Sequence, residues 1–459
     1  MSQSLLHIEQ TESVAAKVKK IEQFLGENFF DDRGIMYAMW FWKGNELRPF
    51  VAEDFEGASV FKTKAGTTMH DHFNYENSAY TSGIFLWSQV LRHRATGEKQ
   101  ALEYAAKAFH SLEQIYSLGV QNGEPGLLCK PYGSTFTHET SPDQFAPVIF
   151  ALWEYRDVAD EAVRRRIDEM LPAMADWWRL RDYTIVYFDH EGDWLNGPIM
   201  TPQYGPEYIA MHLIAYKITG KAVYREEADR ILKLVGDFPT RFDVNRRHMM
   251  ETGKTWWPER LHGREYDSSR RAYMQMDWES YCAVWYGDLA ATWLFDNEPA
   301  LQPLLAHAIA NYYRVMCNNL TPDLLQLYWS QTDLGTGKAH PLVVPRQEYL
   351  MPASWDFLSY LSEVCFGDGT VQVCDMALLA HRYAPHFSPG ALELAKKMLA
   401  KLDDQRLHWM IDPTGSNLMP GDRWMADALS SEVPAETVLT YWRARNWGID
   451  VEKPAAVEV

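Results

Sequence analysis

Apolar residues recur three and four positions apart in stretch after stretch of this chain, the spacing of helices with one buried face. The clearest stretch runs from His138 to Tyr155 (HETSPDQFAPVIFALWEY). It opens polar, turns at Ser141-Pro142, and then carries Phe145, Val148, Ile149, Leu152 and Trp153 at helical spacing. Ser141 suits an N-cap and Pro142 a first helical position. The pattern therefore predicts a helix over 142–157 with Asp143 and Gln144 on its first turn. The bland reading of that acid is that the helix dipole favours aspartate there.

The same design repeats. An apolar, small-residue helix is followed by a short break and then by an amphipathic helix with a charged face. The pattern predicts helices over 10–25, 76–94 and 98–118, then 142–157 with 160–180, 205–218 with 221–236, and 278–294 with 298–317. It also predicts 352–365 with 370–383, and helices over 388–402 and 435–446. Residues 29–75 read as an irregular, aromatic-rich segment. Short strand-like pieces lie at 183–188 and 407–411. The breaks near 97, 159, 220, 297 and 368 are about 60–77 residues apart, too long for the common solenoid repeats. Short connections follow each inner helix and long polar loops precede the next, which puts the long loops at one end. The expected fold is all-α: an (α/α)6 toroid of six hairpins, one domain over 1–459, with short β pieces in its cleft loops. An α-solenoid is the rival, and the long aromatic loops and very apolar inner helices weigh against it.

Composition sharpens this. Aromatic residues make up 14% of the chain, with 18 Trp and 24 Tyr, and many lie in polar loop sequence. Rings beside carboxylates suit stacking on sugar faces, although a large helical core also uses aromatic fillers. The net charge of −18 disfavours nucleic acid and anionic membranes as partners. Five cysteines without paired spacing read as reduced thiols. No apolar leader and no run of about 18 apolar residues is present, so a cytoplasmic protein without a membrane span is expected.

If the hairpins close into a ring, the segments before the inner helices converge: 69–76, 138–144, 189–207, 251–279, 328–355 and 412–424. Asp143 and Asp71 are the favoured acid pair, because glycoside chemistry needs a proton donor and a group that orients water. Glu76 competes with Asp71 for the second place. His70, His72 and His138-Glu139 raise the question of a metal, but no third ligand is fixed by spacing, so no metal or cofactor is assigned. They read as hydrogen-bonding cleft histidines, His138 and His72 among them, or as part of a His/Tyr acid–base set. Trp194, Trp257 and Trp278 are candidate stacking platforms. Seven arginines between 241 and 271 include Arg260 and Arg264, forks suited to a carboxylate. The alternative for most of these is a solvated loop paired with its own acids. No phosphate-binding glycine loop and no nucleophile elbow is present.

Asp143-Gln144-Phe145 opening an inner helix, and the Thr-Gly breaks at Thr96-Gly97 and Thr219-Gly220, resemble the six-hairpin glycosidases, nearest to the unsaturated glucuronyl and rhamnogalacturonyl hydrolases. The resemblance implies an (α/α)6 barrel and a catalytic Asp at Asp143. His70-Asp71 resembles that family's upstream His-Asp but lies farther from the next Thr-Gly break.

The expected function is thus hydrolysis of short, uronic-acid-containing oligosaccharides, with Asp143 as the acid that starts hydration of an unsaturated uronyl residue. Asp71 or a cleft His such as His138 would orient the water, and His72, Gln144, Trp194, Trp257, Trp278, Arg260 and Arg264 would hold the sugar. Alternatives are a two-carboxylate hydrolase of saturated glycosides, a lyase or a sugar epimerase on the same barrel. A non-enzymatic helical scaffold fits least. The expected partner is an oligosaccharide, with the chain a monomer or homodimer.

Overall fold

The computed structural model describes residues 6–57, 67–134, 136–185, 204–235, 273–276, 278–317, 319–328, 330–333, 339–341, 364–418 and 420–452. In chain order its helices are α1 (Val14–Asn28), α2 (Met69–Tyr75), α3 (Ser78–Thr96), α4 (Lys99–Gln121), α5 (Pro142–Tyr155), α6 (Glu161–Leu180) and α7 (Gly205–Thr219). They continue with α8 (Ala222–Val235), α9 (Trp278–Asn297), α10 (Gln302–Cys317), α11 (Gly367–Tyr383), α12 (Ala391–Ala400) and α13 (Glu432–Asn446).

Six of these form a closed inner ring: α3 meets α5, α5 meets α7, and the contacts pass on through α9, α11 and α13 back to α3. Helices α4, α6, α8, α10 and α12 pack outside, and α1 completes the outer layer against α13. This is the (α/α)6 toroid. The burial pattern separates the layers. Every residue from Phe145 to Leu152 on α5 is buried, whereas α6 buries one stripe, including Ile167, Met170, Leu171 and Met174.

Local chemistry sets the hairpin turns. Gly97 (φ 71°) and Gly220 (φ 67°) end α3 and α7 in the left-handed conformation that glycine adopts without strain. The preceding threonines bond back one turn: Thr96 Oγ1 donates to the Arg92 carbonyl and Thr219 Oγ1 to that of Ala215, each at 2.8 Å. Asp160 caps α6 by accepting from the Val163 N–H at 2.9 Å. Ser141 stands at the N-cap position of α5, but its side chain makes no capping bond. Gly83 lets α3 and α5 approach closely: a Cβ there would lie 2.8 Å from Val148 Cγ2.

Short strands brace the returns to the inner ring. β1 (Met39–Lys43) pairs antiparallel with β2 (Glu46–Pro49) and with β9 (Ala428–Ser430), which leads into α13. β3 (Tyr273–Met276) precedes α9, and β5 (Ser330–Asp333) lies between it and β6 (Ala339–Pro341). β4 (Gln326–Leu327), β7 (Cys365–Phe366) and β8 (Met410–Ile411) form a third small sheet, and β7 leads into α11. β8 falls inside the strand expected over 407–411. Of 183–188, residues 183–185 form a turn and its end, and 186–188 lie outside the described residues.

One hairpin differs from the sequence pattern. Gly367-Asp368-Gly369 was expected to break an inner helix from an outer one. Instead it is the first turn of inner helix α11, and 370–383 continues it. The outer partner is α12, within the expected 388–402. The glycines are there for packing: a Cβ on Gly367 would lie 2.1 Å from the His408 carbonyl oxygen, and one on Gly369 2.8 Å from the Phe366 ring. The expected helix over 352–365 lies mostly outside the described residues, and Cys365 is in β7.

Midway down the ring, Arg443 of α13 donates to the Asp375 carboxylate of α11, and both side chains are buried. Trp285 Nε1 of α9 donates to the same carboxylate at 3.0 Å and Thr440 Oγ1 at 3.3 Å. Three inner helices therefore meet on one ion. Replacing Asp375 by Ala leaves a buried, uncompensated guanidinium and is expected to lower stability by about 3–5 kcal/mol. Urea unfolding followed by tryptophan fluorescence measures it, and a loss below about 1 kcal/mol would refute this role for the ion pair.

Candidate active site

Because every inner helix is entered from a long return and left through a short turn, the N-termini of α3, α5, α7, α9, α11 and α13 share one end of the ring. Asp143, Glu207, Asp368 and Glu432 are first-turn acids of α5, α7, α11 and α13. Glu436 follows one turn below Glu432.

A hydrogen-bonded chain ties this mouth together. Gln144 Nε2 donates to Asp143 Oδ2 at 2.7 Å and to Asn77 Oδ1 at 2.8 Å. Asn77 Nδ2 in turn donates to Glu432 Oε1. Below it, Glu436 Oε1 accepts from the Tyr80 hydroxyl and, at 3.0 Å, from Gln372 Nε2. The bonds fix both amide orientations, because only an NH2 can serve Asp143 and only an oxygen can accept from Gln144.

The carboxyls fall into two kinds. Burial alone would raise Glu76, but the charges of Lys130 and His72 overcome it and hold that carboxyl well below its ordinary range. Lys130 Nζ lies 2.9 Å from Glu76 Oε1, and His72 Nε2 lies 3.1 Å from Glu76 Oε2. Among the described residues no such cation acts on Glu207, Glu432 or Glu436, and burial pushes each far up. The neighbouring charge of Asp143 adds to the rise at Glu207, and that of Asp368 to the rises at Glu432 and Glu436. Burial moves Asp368 from 3.8 up to about 8 despite a hydrogen bond from Ser430. At the N-terminus of a helix the dipole favours an ionised acid. Here desolvation outweighs it and favours the protonated form of each.

Glu207 is fully buried, and neither of its carboxyl oxygens has a hydrogen-bond partner. Asp143 is partly exposed at the same mouth. An acid whose burial favours its protonated form thus lies near a second, more accessible carboxyl that accepts a hydrogen bond.

The other expected residues fall at varying distances from this pair. Asp71, one-third exposed on α2, accepts from Thr68 Oγ1 at 2.8 Å. Its carboxylate also lies against Gly133, where a Cβ would come within 3.1 Å of Asp71 Oδ1. It serves as a first-turn partner of the Thr68 cap. His70 Nε2 lies 4.0 Å from Asp71 Oδ1. Helix α2 is pinned by Phe73, whose ring lies 4.4 Å from Trp424 and 5.5 Å from Phe55. His72 is buried, stacks on Tyr132 at 4.9 Å and pairs with Glu76. His138 is exposed and packs edge-on against Phe136. Trp278 starts α9, and Trp194, Trp257, Arg260 and Arg264 lie outside the described residues.

Sequence reasoning passed over Glu207, Asp368, Glu432 and Asn77. A signal for Glu207 existed: Pro206-Glu207 repeats the Pro142-Asp143 register at the start of an apolar helix. Among the described residues no group of three or more His, Cys, Asp or Glu is arranged to hold a metal, and no helix is long and apolar enough to cross a membrane. The five cysteines are free thiols, four of them buried.

No protein-family model matches the chain, and no curated protein matches its sequence. Among solved structures it is similar to a sugar epimerase from a ruminal bacterium, at 13% identity and TM-score 0.52 over 94% of this chain and 99% of that one. An inactive variant of an alpha-1,6-mannanase from Salegentibacter sp., bound to alpha-1,6-mannotriose, aligns at 10% identity over 95% and 98% of the two chains, with a TM-score of 0.30 that carries no weight. The first likeness supports the (α/α)6 fold.

The carboxyls at the mouth make stability fall as pH rises. Between about pH 4 and 8 the unfolded chain has released the Asp368 proton while the folded chain keeps it, so unfolding becomes easier with each pH step. Urea midpoints at about pH 5.5 and about pH 7.5 are expected to show the higher stability at the lower pH, and Asp368→Asn to reduce the difference. A wild-type midpoint that rises with pH would contradict the protonated cluster.

Proposed function

We propose that the chain is a carbohydrate-active enzyme with one catalytic domain, a glycoside hydrolase acting on oligosaccharides at the inner-helix mouth. The observation that carries the reading is the pairing of the fully buried Glu207, whose burial favours the protonated acid, with the partly exposed Asp143. Glycoside cleavage needs one carboxylic acid to protonate the leaving oxygen and one carboxylate to act as base or nucleophile. Asp143 Oδ2 accepts the Gln144 N–H at 2.7 Å, and its partial exposure suits it to the base or nucleophile role. Glu207 is then the acid. This reverses the role that the sequence pattern suggested for Asp143, and Asp71 is left as a capping residue of α2.

Hydration of an unsaturated uronyl residue is the second reading. What favours it is the run of seven arginines between 241 and 271, outside the described residues. In that reading Arg260 or Arg264 holds the substrate carboxylate, and Trp194, Trp257 and Trp278 stack on sugar rings.

A panel of aryl glycosides, intact disaccharides and unsaturated uronyl disaccharides tests both. Glu207→Gln is expected to lower turnover of intact disaccharides about 10²–10⁴-fold, and of aryl glycosides much less, because a good leaving group needs little protonation. Asp143→Asn is expected to depress both. Equal rates for wild type and Asp143→Asn would overturn the assignment. Loss of ultraviolet absorbance from the unsaturated substrates alone would select the second reading. Conversion of a free reducing sugar to its epimer, without cleavage, would replace both.

A further inference from the structure

Lys130 lies on the return that leads into α5, and its side chain is 2% exposed. The return is closed on itself by its own bonds. The Lys130 N–H donates to the Glu139 carbonyl at 3.0 Å, Thr137 Oγ1 donates to the Lys130 carbonyl at 2.8 Å, and Thr140 Oγ1 to that of Leu128 at 2.6 Å. The Tyr132 hydroxyl adds a bond to Glu139 Oε2 at 2.9 Å. Lys130 is thus carried on the same hydrogen-bonded piece of chain as the start of α5 and Asp143.

Its ammonium crosses to another element. Lys130 Nζ lies 2.9 Å from Glu76 Oε1 at the C-terminal end of α2, and His72 Nε2 lies 3.1 Å from Glu76 Oε2. The next residue, Asn77, stands at the N-cap position of α3. Two neighbouring side chains at this joint therefore reach the α5 piece, Glu76 through Lys130 and Asn77 through Gln144 Nε2 at 2.8 Å. Gln144 Nε2 also donates to Asp143 Oδ2 at 2.7 Å.

A buried ion pair is a poor device for merely fastening two elements. The cost of desolvating both charges can exceed their attraction, and apolar side chains of similar size often hold such a place as well or better. What the pair adds is geometry, because charge-assisted hydrogen bonds are short and directional. Here it ties the α2–α3 joint to the α5 return beside the place where the Asn77–Gln144 bond does the same.

We propose that Lys130 is a positioning residue for Asp143: through Glu76 it holds the joint from which Asn77 reaches Gln144, and so sets where the Asp143 carboxyl stands. The inference rests on the reading of Asp143 as a catalytic group. Lys130 acts through other side chains and not on the sugar. Burial alone would lower its proton affinity, but the charges of Glu76, Asp143 and Glu139 more than offset this and raise it. It therefore stays an ammonium, fit to tie carboxyls in place and unfit to serve as a nucleophilic amine.

A double-mutant cycle tests this, with Lys130→Met, Asn77→Ala and both together. The reaction followed is any turnover of the sugar panel that Asp143→Asn abolishes. Lys130→Met is expected to lower kcat about 10–100-fold with little change in KM, the loss that a displaced catalytic group brings. In the Asn77→Ala protein the same substitution is expected to cost less than about threefold, because the link it acts through is already gone. Equal costs in the two backgrounds overturn the proposal, as does a Lys130→Met kcat within about threefold of wild type. Losing Lys130 leaves the Glu76 carboxylate without its ammonium. If Lys130→Met does not fold, as judged by circular dichroism, Lys130→Met combined with Glu76→Gln takes its place in the cycle. The cycle is also read in urea unfolding, which needs no substrate. There Lys130→Met is expected to change the unfolding constant at least about fivefold less in the Asn77→Ala background than in wild type. Additive changes overturn the proposal. A wild type that turns over no sugar overturns the catalytic reading of Asp143 and this role with it, while the unfolding cycle still decides whether Lys130 and Asn77 act together.

Discussion

Taking a carboxyl out of water costs several kcal/mol unless something nearby repays it, and this toroid buries its acids where six helix ends meet. The ring must be filled to be stable, yet its mouth collects polar first-turn residues. The molecule resolves the conflict in two ways. Glu76 and Asp375 each receive a cation, Lys130 and Arg443 respectively. Among the described residues, Glu207, Glu432, Glu436 and Asp368 receive neutral donors or nothing, and burial pushes each toward its protonated form. Structure and chemistry separate along this line: the paired acids fasten helices to one another, and the unpaired ones remain available for proton chemistry.

Asp288 shows that burial of an acid without a hydrogen-bond partner is not confined to the mouth. It lies deep on α9, both oxygens lack hydrogen-bond partners, and burial together with the nearby charge of Asp375 pushes it far up. It is set apart from Glu207 by its place in the ring: Asp143, the carboxyl that acts on Glu207, is partly exposed, whereas Asp375 beside Asp288 is sealed by Arg443 and Trp285. A high proton affinity is thus insufficient to mark a catalytic acid. The carboxyl that acts on Glu207 reaches solvent, whereas the one that acts on Asp288 does not.

The toroid was legible because its signals are local and repeated. Helix α5 begins at Pro142 as its Ser-Pro-Asp start predicts, and the Thr-Gly endings of α3 and α7 fall where a left-handed glycine must stop a helix. The fifth hairpin misled for a reason that packing explains. Glycines at 367 and 369 read as punctuation, but they are present because the His408 carbonyl and the Phe366 ring press on the helix start. That error hid Asp368. Asp143 and Gln144 stood out because an apolar helix followed them at once. Asn77 and Glu432 gave no such sign, since their partnership spans 355 residues of sequence and exists only once α13 closes the ring against α3.

The closure matters to the chemistry as well. Gln144 cannot orient Asp143 alone: a free amide could turn over and present its oxygen to the carboxylate, which would repel it. Asn77 prevents this by offering Gln144 an oxygen, and Asn77 is itself held by donating to Glu432 on the last inner helix. The direction of every bond in the chain follows from the need of Asp143 for a donor. Glu432 of the last inner helix therefore helps fix the side-chain geometry of Asp143 on the second, and it does so through a contact that only a closed ring provides.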